Sequence, residues 1–202
     1  MKLFLCPTFT KLELNFVTLK LNFEINTMNY ILFDGTVRNA LLPFTYTRPV
    51  ADIRIGILTL REKWENYLGS TTTTVTEEYL MEKFPMVEME ENVMINASFL
   101  PNATLVEWIQ NLNPKQAIVF EEEIVAFYSQ DTQEEVDFDQ YDLLSFESEL
   151  MRIANTWDIF AKNDRAIRDD FELLTADRTS QPIPKSVNVI APKNIFIEEG
   201  AQ

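Results

Sequence analysis

YILFDGTVRNALLPFTYTRPVADIRIG, from Tyr30 to Gly56, is the stretch that decides how this chain is read. A short apolar run, Tyr30 to Phe33, meets Asp34-Gly35, and Arg38, Arg48 and Arg54 then fall within 17 residues of one another beside Pro43, Pro49 and Asp52. The run reads as a buried strand and Asp34-Gly35 as the turn that ends it. From Asp52 the apolar residues Ile53, Ile57, Leu60, Trp64 and Leu68 take helical spacing. Strand, loop and helix make the opening unit of an α/β sheet, and such sheets bind ligands outside the carboxyl ends of their strands. Guanidinium groups match phosphate oxygens bidentately, so the three arginines suit an anion site. The competing reading pairs them with Asp34, Asp52 and the acidic excess of the chain.

That excess is large: 32 acidic against 17 basic residues give a formal charge of −15 over 202 residues. Such a surface repels nucleic acid and anionic membrane, so a phosphate-bearing ligand needs a local basic pocket. Histidine is absent and Cys6 is the single cysteine. This excludes Ser-His-Asp and Cys-His catalysis, a Cys/His zinc site and an intrachain disulfide. No run approaches the ~20 apolar residues of a membrane span, and MKLFLCPTF is a poor secretory leader, so the reading is cytoplasmic.

Outward from the opening unit, strand and helix signals alternate. TTTTVT is β-rich, EEYLMEKF is helical up to Pro85, and VMI is a strand. A helix capped by Asn102 follows, then strands in QAIVF and IVAFY, then helices through FESELMRI and from Trp157 to Leu174. In the last of these Thr156 is the expected cap, with Phe160, Ile167, Phe171 and Leu174 as the apolar stripe and Trp157 in the core. The alternation predicts an α/β layered sheet. Residues 116–151 hold eleven carboxylates and no lysine or arginine, and read as a solvated acidic face or loop, with a cation site as the alternative.

Both ends differ from the middle. Residues 1–27 show a period of two that slips near Phe16 and Val17, and read as an extension outside the domain, because a complete strand, loop and helix begins at Met28. The body is expected over 28–180. After the hinge RTSQPIP, residues 181–202 carry Val189-Ile190 and Ile195-Ile197 between small or polar turns, as a first repeat of a longer array would.

LFDGTVRNALLPFTYTRPVADIRIGILTLREKW resembles the first strand and loop of the sugar-phosphate nucleotidyltransferases. In particular it resembles the Bacteroidetes-type variant related to the bifunctional N-acetylglucosamine-1-phosphate uridylyltransferase / glucosamine-1-phosphate acetyltransferase. Against the pattern L-x-G-G-x-G-T-R-L-x-P-L-T-x-x-x-P-K, Leu32 and Gly35 match the strand and turn, Arg38 the arginine, Leu42-Pro43-Phe44-Thr45 the L-x-P-L-T, and Arg48-Pro49 falls near the P-K. NASFLPNATLVEWI, NTWDIFAKNDRAIRDDF and IAPKNIFIEEGA are similar to later landmarks in the same order.

The resemblance implies a Rossmann-like nucleotidyltransferase sheet with flanking helices, ending at the start of a left-handed parallel β-helix of the acyltransferase type, through which the full protein would be a homotrimer. It implies transfer of a nucleotidyl group from a nucleoside triphosphate to a sugar-1-phosphate, with Mg²⁺, in nucleotide-sugar biosynthesis for the cell envelope. Arg38 and Arg48 would be catalytic; Gly35, Thr45, Arg54, Asn96, Asp158 and Asn163 would bind substrate; Asp34 is the candidate magnesium ligand. The chain departs from the pattern in having one glycine in the loop, which leaves fewer backbone N–H groups free to approach phosphate. A non-catalytic sugar-nucleotide-binding or assembly domain of the same fold is therefore the alternative.

Overall fold

The computed structural model describes residues 28–129 and 136–201, so the expected extension over residues 1–27 lies outside the described residues. Six strands form one mixed sheet in the order β2-β1-β3-β5-β4-β6. They are β1 (Asn29–Phe33), β2 (Thr72–Val75), β3 (Asn92–Asn96), β4 (Gln116–Phe120), β5 (Glu123–Ser129) and β6 (Asp142–Ser145). β1 is paired on both edges by parallel neighbours, with Ile31 opposite Thr73 of β2 and Met94 of β3. A strand enclosed in this way buries both faces, which is why NYILF is apolar throughout after Asn29. β5 runs antiparallel to β3 and β4, and β6 runs parallel to β4. The α/β sheet with flanking helices is the architecture the alternation implied.

The described residues of the acidic segment are structured rather than a plain loop. Glu121 and Glu122 take φ of 49° and 67° and form the two-residue connection between β4 and β5, a geometry that suits the right-handed twist of a hairpin. β6, within the same segment, adds a strand that the sequence pattern did not show.

The first helix starts later than its apolar spacing implies. α1 (Leu60–Leu68) is opened by Thr59, whose side chain accepts from the Glu62 N–H while the Glu62 carboxylate accepts from the Thr59 N–H, a reciprocal capping box. Ahead of it, Arg54 and Thr59 are bridged across a turn that contains Gly56 at φ 77°. Ile53 and Ile55 are buried by that turn and not by a helix. α2 (Glu78–Met81) is short, and α3 (Ala103–Gln110) is capped by Asn102, which accepts from the Leu105 N–H at 2.8 Å as its sequence implied.

FESELMRI is not helical. Leu100 N–H donates to Met151 O, Ile153 N–H donates to Ser98 O, and Phe99 and Arg152 form an isolated bridge. Its end, Met151 to Ile153, is extended against residues 98–100, while Phe146 at its start donates its N–H to Val119 O and packs on Trp108; Phe146, Leu150 and Ile153 are all buried. The last helical stretch is two helices, α4 (Thr156–Ala161) and α5 (Asn163–Thr175). The α4 cap is Asn155, in a box with Asp158, and Thr156 is the first helical residue. Trp157 and Phe160 are 67% and 88% exposed, because α4 is one and a half turns long and packs on the core through Ile159. Beyond it, residues 181–201 contain no strand; Gln181 N–H reaches Ile197 O at 2.9 Å and folds the tail back on itself.

The core between sheet and helices is one cluster that includes Leu32, Trp64, Ile95, Phe99, Leu105 and Ile153. Trp64, fully buried, donates its indole N–H to Phe99 O at 3.0 Å, so its one polar atom is satisfied.

Candidate functional site

The carboxyl ends of β1, β2 and β3 lie side by side, and each is followed by a polar residue: Asp34 after β1, Thr76 after β2, and Asn96 as the last residue of β3. Gly35 makes the turn possible. Its φ of 63° and ψ of −172° lie in a region nearly confined to glycine. A Cβ there would also stand 3.1 Å from Asn96 Oδ1.

The next residues double back as short 3₁₀ turns, and Arg38 points inward from the first of them. Nη1 donates to Asp34 Oδ2 at 2.6 Å and to Thr76 Oγ1 at 3.3 Å. Nη2 donates to Thr45 O at 2.6 Å and to the Tyr79 hydroxyl at 2.8 Å, and Nε lies 3.4 Å from a Glu77 carboxylate oxygen. Thr45 returns a bond from its hydroxyl to Arg38 O at 2.9 Å. Asp34 is equally engaged: Thr76 Oγ1 donates to Oδ2 and Val50 N–H to Oδ1, each at 2.6 Å. The guanidinium, 8% exposed, therefore has an acceptor for each of its nitrogens. Asp34, Arg38 and Thr45 together staple the loop to the ends of β1 and β2.

Arg48 is different. It is exposed and has no hydrogen bond or ion pair, whereas every other arginine among the described residues meets a carboxylate. Arg54 is held on the α1 turn by Ile57 O and by Glu62 at 3.6 Å, and no contact joins the three arginines. The loop thus divides into a buried, internally neutralised half and an exposed, cationic half.

A family model described as sugar nucleotidyl transferase matches residues 30–179. The chain belongs to that family. Membership in the sugar nucleotidyl transferase family makes it a transferase by class, with nucleotide and sugar-phosphate chemistry as its coarse function. No curated protein matches the chain. Among solved structures, a Bacillus anthracis protein described as a glucose-1-phosphate thymidylyltransferase, in complex with sucrose, is similar over 69% of this chain and 95% of its own, at 10% identity and a TM-score of 0.43.

The other expected site residues have local partners. Asn96, buried, accepts from Ser98 N–H at 3.1 Å and Ser98 Oγ at 2.8 Å and donates to Ile124 O at 3.2 Å. Asp158 accepts from the Ala154 and Asn155 N–H groups at 2.8 and 2.9 Å and pairs with Lys162 at 3.1 Å. Burial raises its pKa, but these bonds together outweigh burial and leave the carboxyl below its ordinary range. Asn163 accepts from Gly56 N–H at 2.8 Å, which ties α5 to the turn before α1.

Sequence reading missed the pair that completes this tie. Lys63 Nζ meets Asp170 Oδ1 in a buried ion pair, and Asp170 Oδ2 accepts from Ile57 N–H at 2.8 Å and Leu58 N–H at 3.1 Å. Burial lowers the Lys63 pKa although Asp170 opposes the shift. Nothing in the sequence pairs residues this far apart. A cavity of about 50 Å³ beside Lys63, Tyr67, Leu100 and Arg165 has room for a few waters and none for a nucleotide. The open strand ends are the candidate site.

A family member of this kind implies a divalent metal, and the described residues do not fit one as they stand. Asp34, the expected ligand, has both oxygens engaged, and no group of three or more carboxylates or cysteines among the described residues could hold a metal ion.

Proposed function

We propose that the carboxyl edge of β1, β2 and β3 binds a nucleoside triphosphate and a sugar-1-phosphate and transfers the nucleotidyl group between them. A sugar-phosphate oxygen attacks the α-phosphorus, the bond from that phosphorus to the bridging β-phosphate oxygen breaks, and pyrophosphate leaves. Such chemistry asks the protein for in-line positioning and charge stabilisation. The observation that carries the reading is Arg48: in a chain of charge −15, the loop after β1 keeps one guanidinium open to solvent and free of carboxylates. Arg48 meets the triphosphate. Arg38, with Asp34 and Thr45, holds the turn that presents it.

The relation to the bifunctional uridylyltransferase/acetyltransferase, and a β-helix beginning in residues 181–202 that makes the full protein trimeric, belong to the same proposal. The first rests on the opening loop and the later motifs in the same order, the second on the apolar pairs Val189-Ile190 and Ile195-Ile197.

One observation favours a binding module instead. Asp34 and Arg38 neutralise each other, so the loop offers neither a free carboxylate nor a second free guanidinium. Pyrophosphate release, measured with a panel of nucleoside triphosphates and sugar-1-phosphates, separates the readings. Turnover supports the transferase. Nucleotide binding without release would establish the module. Arg48→Ala should weaken nucleotide binding by about 10- to 150-fold if its contact is a bidentate, charge-assisted one. Unchanged affinity would remove the loop from the site.

A further inference from the structure

Arg152 also lies at the carboxyl edge, beside Ser98 just beyond β3 and Glu123 at the start of β5, and its surroundings are built. Asn96, against which Gly35 packs, accepts from Ser98 Oγ at 2.8 Å, and Ser98 Oγ accepts from Arg152 Nε at 3.2 Å. The guanidinium lies over the Phe99 ring at 5.1 Å, and Nη2 is 3.2 Å from a Glu123 carboxylate oxygen. The backbone is fixed as well, by the bridge to Phe99 and by Lys162 Nζ, which donates to Arg152 O at 2.5 Å. Nη1 has no acceptor in the protein, and no buried side-chain nitrogen among the described residues lacks one, so Nη1 is open to solvent. Arg38 offers no donor of that kind.

We infer that Arg152 binds the phosphate of the sugar-1-phosphate, in a subsite separate from the triphosphate contact of Arg48; this rests on the proposed transferase reading. A guanidinium seated over a ring and tied at Nε by a hydroxyl loses little freedom on binding an anion. Glu123 competes with that anion for Nη2 and serves as the internal counter-charge when the subsite is empty.

Calorimetric titration tests this, with glucose-1-phosphate, N-acetylglucosamine-1-phosphate and UTP as separate probes and circular dichroism as the check on folding. Arg152→Met should weaken sugar-phosphate binding by about 10- to 100-fold and leave UTP within about twofold of wild type, as loss of a charge-assisted contact confined to one subsite predicts. Arg152→Lys should restore part of the loss. Glu123→Gln should tighten sugar-phosphate binding, which a structural role for the ion pair would not produce. If the methionine variant fails to fold, Glu123→Gln decides, and unchanged or weaker binding overturns the inference. Wild-type sugar-phosphate affinity in folded Arg152→Met overturns it while leaving the transferase reading intact. A wild-type protein that binds none of the probes overturns both.

Discussion

The Asp34 carboxylate holds the Arg38 guanidinium at 2.6 Å, one helical turn away in sequence, inside the loop expected to hold phosphate. Removing one member of a buried pair strands the other, at a cost of about 3 to 5 kcal/mol. Arg38→Ala should therefore lower stability by that order in urea denaturation, and Asp34→Asn should act in the same direction. A loss below about 1 kcal/mol, accompanied by loss of nucleotide binding, would make Arg38 a ligand after all.

Gly35→Ala places a methyl group in a backbone region that only glycine favours and presses it on Asn96. The strain should cost about 1 to 3 kcal/mol. Asn96→Ala in the same molecule relieves the crowding but not the dihedral strain, so a double-mutant cycle should show partial rescue. Full rescue would mean that the backbone tolerates alanine there.

Acid stability should depend on the helix caps of α1 and α4. Glu62 is lowered mainly by the Thr59 N–H, and Asp158 by the bonds that outweigh its burial. A carboxyl lowered in the folded state contributes stability that is present above its unfolded pKa and is lost as pH falls through the folded one, here below about pH 4. Asp158→Asn should lower stability at pH 7 by roughly 0.5 to 2 kcal/mol, as loss of a cap does. It should also flatten the acid limb of a stability–pH curve. An unchanged acid limb in that variant would refute the assignment.

Phe160 tests the surface. At 88% exposure its replacement by glutamine should change stability by less than about 0.5 kcal/mol, whereas Ile153→Ala, in the core, should cost about 2 to 5 kcal/mol. Equal losses would return Phe160 to the apolar stripe read from the sequence.

Sequence by itself determined what depends on close neighbours along the chain. The apolar run of β1, the Asn102 cap and the alternation of strands and helices follow from side-chain period and from hydrogen bonds that span three residues. Glycine at position 35 was legible for the same reason, since a turn after a strand needs it. The helical spacing ahead of α1 misled because Ile53 is buried just as well by a turn, one that leaves Ile57 exposed and whose Gly56 lies against Asp170, where a Cβ would stand 2.5 Å from Oδ2. The end of FESELMRI, Met151 to Ile153, pairs with residues 98–100, and such a partner cannot be read from the segment's own periodicity. The arginines show the division most directly. Composition and spacing gathered Arg38, Arg48 and Arg54 into one loop, but only the tertiary structure decided which of them face acceptors. Burial of charge demands partners, and those of Arg38 come from three separate parts of the chain, Asp34, Thr45 and the stretch from Thr76 to Tyr79. Arg48, three residues beyond Thr45, has none.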